Sequence, residues 1–168
     1  MRRSGILMHI SSLPGPGGIG SLGKEAYAFA DFLKASGMAV WQVLPLGPTG
    51  YGESPYQSSS VFAGNPMLIS CAALREAGLV AYDDGEEFTP DDPEWVDYPA
   101  VRESKEKLLR RCFAQSEGKL QKELAAFRRE NPWVEDFALF TALKARYGGV
   151  MWTKWPDREV RRRQPAAL

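Results

Sequence analysis

Histidine is nearly absent from this chain of 168 residues, which has one, and cysteine is rare, with two. A structural Cys/His metal site needs four such ligands, one more than the chain has. Two cysteines distant in sequence, Cys71 and Cys112, do not make a disulfide framework either. An excess of one charge is also missing: 21 basic residues balance 21 acidic ones, for a net charge of zero. That excludes, for the chain as a whole, the cationic footprint that holds nucleic acid. No apolar run approaches the roughly 18 to 20 residues that cross a bilayer. Met1-Arg2-Arg3 resembles a basic leader, but the apolar stretch Ile6-Leu7-Met8 ends at His9, too soon for a signal peptide. These absences predict a cytoplasmic protein with neither nucleic acid nor membrane as a partner. What is present suits a packed fold: 44% hydrophobic and 25% charged residues, at a length usual for one domain.

Gly5 to Ile10 is a short, nearly continuous apolar run, as expected of a strand buried on both faces. A Gly/Pro-rich loop runs from Ser11 to Gly20. Ser21 then offers a cap for a helix with Leu22, Ala26, Phe29, Ala30 and Leu33 on one stripe, stopped by Gly37. A second apolar run, Val40 to Leu44, ends at Pro45. Strand, helix, strand is a βαβ unit with two parallel strands. Residues 47 to 66 read as a long loop, a length enriched in function. A helical turn is predicted from Cys71 to Ala77, and an acidic, Pro-punctuated loop over 83–99. Beyond it the pattern is helical. Leu108, Leu109, Cys112 and Phe113 form one stripe, and Leu120, Leu124 and Phe127 another, with Gly118 as a break. Asn131-Pro132 opens a helix carrying Trp133, Phe137, Phe140 and Tyr147 to Gly148-Gly149. Arg158, Arg161, Arg162 and Arg163, interleaved with Asp157 and Glu159, read as a solvated face. Two parallel strands make no stable sheet alone, so the chain reads as the opening of a larger α/β fold.

Three constellations carry chemistry. Gly15-Pro16-Gly17-Gly18-Ile19-Gly20 is a literal G-x-G-x-x-G, the pattern that lays a pyrophosphate on a helix N-terminus. Against that use, Ser11 to Pro14 separate it from the strand, Pro16 removes an N–H, and Leu44-Pro45-Leu46 stands where an acidic ribose partner belongs. A glycine turn for close packing is the better reading. His9 sits where the first strand ends, the ligand-facing end in α/β folds, though a lone histidine is more often structural. The loop Tyr51-Gly52-Glu53-Ser54-Pro55-Tyr56-Gln57 presents two phenol rings beside hydroxyl and amide groups. Such rings pack on the C–H faces of sugars, and an ordinary Tyr-bearing turn is the equal alternative. Paired carboxylates for retaining glycoside chemistry stand about 5 to 5.5 Å apart. Glu53 is the acid nearest this loop and has no second carboxylate beside it in sequence.

Longer matches go further. Gly5-Ile6-Leu7-Met8-His9-Ile10-Ser11-Ser12-Leu13-Pro14-Gly15-Pro16, Gly18-Ile19-Gly20, the run from Trp41 to Ser58, and Phe62-Ala63-Gly64-Asn65-Pro66 resemble the N-terminus of the 4-α-glucanotransferases. These are the amylomaltases or disproportionating enzymes of glycoside hydrolase family 77. Asp136 to Lys144 and Trp155-Pro156 are similar to the family as well. The resemblance spans the chain, more weakly between about residues 80 and 130, and covers about the first third of a family member.

The resemblance implies an α/β architecture: the opening βαβ portion of a (β/α)8 TIM barrel over residues 1–80, and a mostly helical inserted subdomain over 81–168. It implies retaining transfer of an α-1,4-glucan segment to the 4-hydroxyl of an acceptor, without cofactor, with α-1,4-glucans and maltooligosaccharides as partners. Ser54 and Tyr56 match residues lining the acceptor side of the family's cleft, and Tyr51 matches a secondary glucan contact. The glycine loop returns to a structural role. The family's nucleophile, acid/base and stabilising carboxylates follow later strands, so no catalytic residue is assigned here. The isolated chain is expected to be inactive, to self-associate, and to have the C-terminal remainder of the barrel as its partner. The alternative is a non-catalytic maltooligosaccharide-binding or regulatory homologue.

Overall fold

The computed structural model describes residues 2–81, 88–92, 94–116 and 118–161. Part of the acidic loop predicted over 83–99, and Met1, Arg162 and Arg163, lie outside the described residues. The chain divides into two compact units, 1–121 and 122–168.

In the first unit β1 (Gly5–Leu7) and β2 (Val40–Gln42) pair in parallel, with Gly5 opposite Val40, Ile6 opposite Trp41 and Leu7 opposite Gln42. Helix α1 (Lys24–Ala35) connects them, completing the βαβ unit. Its N-cap is Gly23, two residues after the predicted Ser21. Gly23 lies so near Ser70 that a Cβ would come within 2.6 Å of its Oγ, which fixes where the helix begins. Gly37, with φ of 72°, stops it as expected. Ala26 and Leu33 are its buried positions. Ala26 joins a core of Ile10, Leu13 and Leu68, against which Phe29 and Trp41 pack, themselves edge to face at 4.9 Å. The Trp41 indole donates to the Met8 carbonyl at 2.8 Å.

Both strands are shorter than their apolar runs, and neither is buried on both faces. Leu7 is 60% exposed and Val40 is 42% exposed. No third strand flanks them among the described residues, so an apolar pattern suited to a buried parallel sheet stands partly in solvent.

After a turn over Pro66–Leu68, Ser70 caps the short helix α2 (Cys71–Glu76) by accepting from the Ala73 N–H. Helix α3 (Tyr98–Gln115) starts inside the predicted loop, because Asp97 caps it by accepting from the Ala100 N–H and Pro99 suits its first turn. Val101, Lys105, Leu108 and Cys112 are its buried residues, whereas Phe113, predicted on the stripe, is 75% exposed. Cys112 packs with Cys71, Val80 and Leu108, and burial pushes its thiol pKa up, with Cys71 adding to the effect.

The second unit holds α4 (Gln121–Glu130), which starts one residue inside the first, and α5 (Trp133–Arg146). Asn131 does not cap α5 through its side chain. Its amide donates to the Phe127 carbonyl, closing the end of α4, and accepts from the Trp133 indole. Gly148 and Gly149 end the second helix in left-handed conformations, as predicted. The aromatic residues on and around α5 form two groups. Trp133 meets Phe127 and Phe137, while buried Trp155 meets Phe140 and Tyr147. Asp157 then caps α6 (Arg158–Arg161).

Candidate functional site

The loop between β2 and α2 is closed at its base by the Asn65 N–H, which donates to the Leu46 carbonyl at 2.8 Å. Its two limbs touch. A Cβ on Gly50 would sit 2.4 Å from the Gln57 carbonyl oxygen, and one on Gly47 would sit 2.6 Å from Ser58 Oγ. Only glycine allows that approach. Ser60 Oγ accepts from the N–H groups of Phe62 and Ala63, and Ser58 Oγ donates to the Ser60 carbonyl. A long loop packed on its own side chains in this way is an Ω-loop, a form often used for function.

At its tip Tyr51–Glu53 forms a tight turn in which Gly52 takes a left-handed φ of 64°. Glu53 has a φ of 56°, unusual for a residue with a side chain. Two contacts hold it: the Thr49 hydroxyl donates to Oε2 at 2.5 Å, and Arg102 on α3 donates to Oε1 at 2.6 Å. Glu53 therefore serves as a strut between loop and helix. The carboxylate nearest the candidate sugar-binding residues is spoken for.

The strut leaves the predicted residues facing outward. Tyr51 is 91% exposed and Tyr56 is 73% exposed, while Ser54 is half-buried and its hydroxyl has no hydrogen-bond partner among the described residues. Tyr56 lines a cavity of about 550 Å³ with Pro45, Gly47, Ser58, Ser60 and Phe62. Tyr51 and Ser54 do not line it. One loop thus carries all three residues, and Tyr56 stands at this concavity. A flat, exposed ring beside a small mixed-polarity hollow suits a pyranose, whose faces are apolar and whose rim is hydroxyl.

The glycine motif is structural. A Cβ on Gly20 would lie 2.0 Å from the Ile10 carbonyl oxygen, so this residue lets two turns cross. His9 follows β1 and precedes the turn Ile10–Ser12. Its Nδ1 is buried without a hydrogen-bond partner, and burial holds its pKa below the usual 6.5. Sequence reading overlooked Arg102 as the partner of Glu53, and Lys105. The Lys105 side chain is buried and donates to the Ile69 carbonyl at 2.7 Å. Its spacing from Val101 and Leu108, on the apolar stripe of α3, is the signal that places it inward.

Among the described residues no group of acidic, histidine and cysteine side chains is arranged to hold a metal, and no helix is long and apolar enough to span a membrane.

Comparison with known proteins places the chain among its relatives. The family model described as 4-alpha-glucanotransferase matches residues 8–168. A 4-alpha-glucanotransferase of Thermus thermophilus is 49% identical, over 99% of this chain and 33% of its own length. One from Solanum tuberosum, described as chloroplastic/amyloplastic, is 38% identical over 99% of this chain and 30% of its own. The structure of an amylomaltase from Streptococcus agalactiae in complex with acarbose superimposes with a TM-score of 0.93 at 42% identity, over 99% of this chain and 34% of that one. The chain thus spans about a third of the length of the relatives it matches. With the family model matching nearly every residue and the fold shared at that score, the chain belongs to the 4-alpha-glucanotransferase family, glycoside hydrolase family 77.

Proposed function

We propose that this chain supplies the acceptor-side portion of a 4-α-glucanotransferase. In this reading β1 and β2 are the first two strands of a (β/α)8 barrel within residues 1–80, and the helices of 81–168 belong to an inserted subdomain. The loop after β2 receives the glucan that accepts the transferred segment. Tyr56 and Tyr51 offer their rings to pyranose faces, and the Ser54 hydroxyl serves a sugar hydroxyl. The observation that carries the reading is the self-braced loop. Thr49 and Arg102 fix Glu53, and the tyrosines beside it are held out in solvent at little further entropic cost on binding.

Retaining transfer needs a nucleophile and an acid/base on either side of the glycosidic bond. Glu53 cannot serve, because Arg102 and Thr49 occupy its oxygens. The reading therefore assigns no catalytic residue within these 168 positions. The acids come from further barrel strands, which also cover the exposed faces of β1 and β2. No cofactor takes part, the partners are α-1,4-glucans and maltooligosaccharides, and the compartment is the cytoplasm.

The test is maltotriose disproportionation by the purified chain, followed by released glucose, beside its retardation in gels containing amylose. The expected result is no glucose, with a retardation that Tyr56→Ala and Tyr51→Ala reduce. Glucose release that persists through purification would overturn the absence of an acid pair. Retardation unchanged in both variants would remove the loop from glucan binding.

A further inference from the structure

Three side chains that the tyrosine-bearing loop does not use meet in the core shared by α2 and α3. Cys71, the first residue of α2, and Cys112, near the end of α3, are free thiols buried in one cluster with Val80 and Leu108. Burial raises the Cys112 pKa, and Cys71 raises it further, an influence that a near neighbour exerts. Lys105 is the third member. Its side chain is buried, and Nζ donates to the Ile69 carbonyl at 2.7 Å and to Cys71 Sγ at 3.5 Å.

Packing alone accounts for a cysteine in a core. It does not account for Lys105, because an amine taken out of water is costly unless an acceptor repays it. Among the described residues no carboxylate pairs with it, and the atoms it faces are one carbonyl oxygen and one sulfur. Metal binding does not explain the cluster either, since no group of three cysteine, histidine or acidic side chains is placed to hold an ion among the described residues. What two thiols and an amine share is redox chemistry at sulfur. Helix α2 is six residues long, set between the turn over Pro66–Leu68 and Gly78, so it can shift as one piece toward α3. Cys71 is 8% exposed, which admits a small peroxide and excludes a bulky thiol.

We infer that Cys71 and Cys112 form a redox modification site, which hydrogen peroxide oxidises to a disulfide joining α2 to α3, with Lys105 as the positioning residue at the Cys71 sulfur. The Cys71 thiolate attacks one peroxide oxygen and the O–O bond breaks. The departing hydroxide, to which Lys105 Nζ can donate, takes up a proton and leaves as water, and Cys71 becomes a sulfenic acid. The Cys112 sulfur then attacks the Cys71 sulfur, the S–O bond breaks, and the hydroxide leaves with the Cys112 proton as a second water. Two thiols have lost two electrons and two protons, and one peroxide has become two waters. The bond ties α2 to the helix whose Arg102 holds Glu53, so oxidation stiffens the support of the loop. Reversible disulfides of this kind are the ones that reducing compartments carry.

The test uses the whole chain, reduced, freed of reductant and treated with hydrogen peroxide. Remaining thiols are tagged with iodoacetamide in urea and counted by intact mass. The expected result is loss of both thiols, a mass about 2 Da lower, one tryptic species joining the Cys71 and Cys112 segments, and recovery with dithiothreitol. The oxidised chain should unfold about 5 °C above the reduced one. Cys112→Ala should stop at the Cys71 sulfenic acid, read as a dimedone adduct. Lys105→Met should slow thiol loss about tenfold in the folded chain and leave it unchanged in urea. The unsubstituted chain gives a control that no substitution disturbs: unfolded in urea, it should form the disulfide about tenfold more slowly than when folded. Two thiols still free after peroxide, a disulfide formed only between chains, or equal rates folded and unfolded would each overturn the site.

Discussion

The loop over residues 47–64 and the two-stranded sheet that carries it are built in opposite ways. The loop satisfies itself: its base is tied from Asn65 to Leu46, its limbs meet at Gly50 and Gln57, and its one acid is held by Thr49 and Arg102. The sheet does not. Its register is set over three residue pairs, yet Leu7 and Val40 stand in solvent. Local hydrogen bonds complete an Ω-loop within one stretch of chain, whereas a parallel strand needs neighbours from elsewhere. A long loop can therefore be fully formed on a scaffold whose strands still lack company.

Two glycines break this comparison most sharply. A Cβ at Gly5 would meet the Val40 carbonyl oxygen at 2.4 Å, so Gly5→Ala forces the strands apart. It is expected to destabilise the chain by about 3 kcal/mol, read from the urea midpoint. Gly50→Ala meets the Gln57 carbonyl at the same distance but inside the loop. Its cost is expected to stay local, about 1 to 2 kcal/mol, and to appear chiefly as faster proteolysis near Tyr51. If the two variants unfold at the same urea concentration, the loop and the sheet are one cooperative piece.

What could be read from the sequence divides along the same line. Periodicity and punctuation located the βαβ unit, and Gly37 and Gly148 ended their helices where expected, because caps and left-handed glycines are local devices. The long loop, too, was visible, since no alternation or helical stripe runs through it. The purpose of Glu53 was not, because its partner Arg102 lies far along the chain and a surface arginine on a helix looks like any other. That β1 and β2 would stand partly in solvent was legible, because two parallel strands alone cannot cover their own faces. An apolar run records the environment for which the strand is suited, and the described chain provides only part of it.

The Glu53 strut sharpens the comparison at smaller scale. Arg102→Met removes a half-exposed ion pair and is expected to cost about 1 kcal/mol or less, with the loss shrinking at high salt. The more telling readout is glucan affinity, which should fall as the tyrosine-bearing turn loosens. Undiminished affinity would show that the loop holds its shape without α3. On the sheet side, Leu7→Ser should change stability by no more than about 0.5 kcal/mol, since Leu7 is largely in solvent. Sedimentation should nonetheless show less self-association, because an exposed apolar strand beside an open edge invites pairing. A parent chain that sediments as a monomer at all concentrations would refute that expectation.

The smallest effect tests the junction between the two regions. His9 follows β1, with Nδ1 buried and unpartnered and its pKa lowered by burial. The unfolded chain, with an ordinary imidazole, takes up the proton first as pH falls, so protons bind the unfolded state more strongly. Stability should be level above the unfolded value of about 6.5, decline as pH drops below it, and level off once the folded histidine is also protonated. His9→Gln should remove the decline that begins below about 6.5 while leaving the carboxylate-dependent loss at lower pH. If the variant and parent trace the same curve, a proton on His9 meets no penalty in the folded chain, and the end of β1 is wetter than its packing indicates.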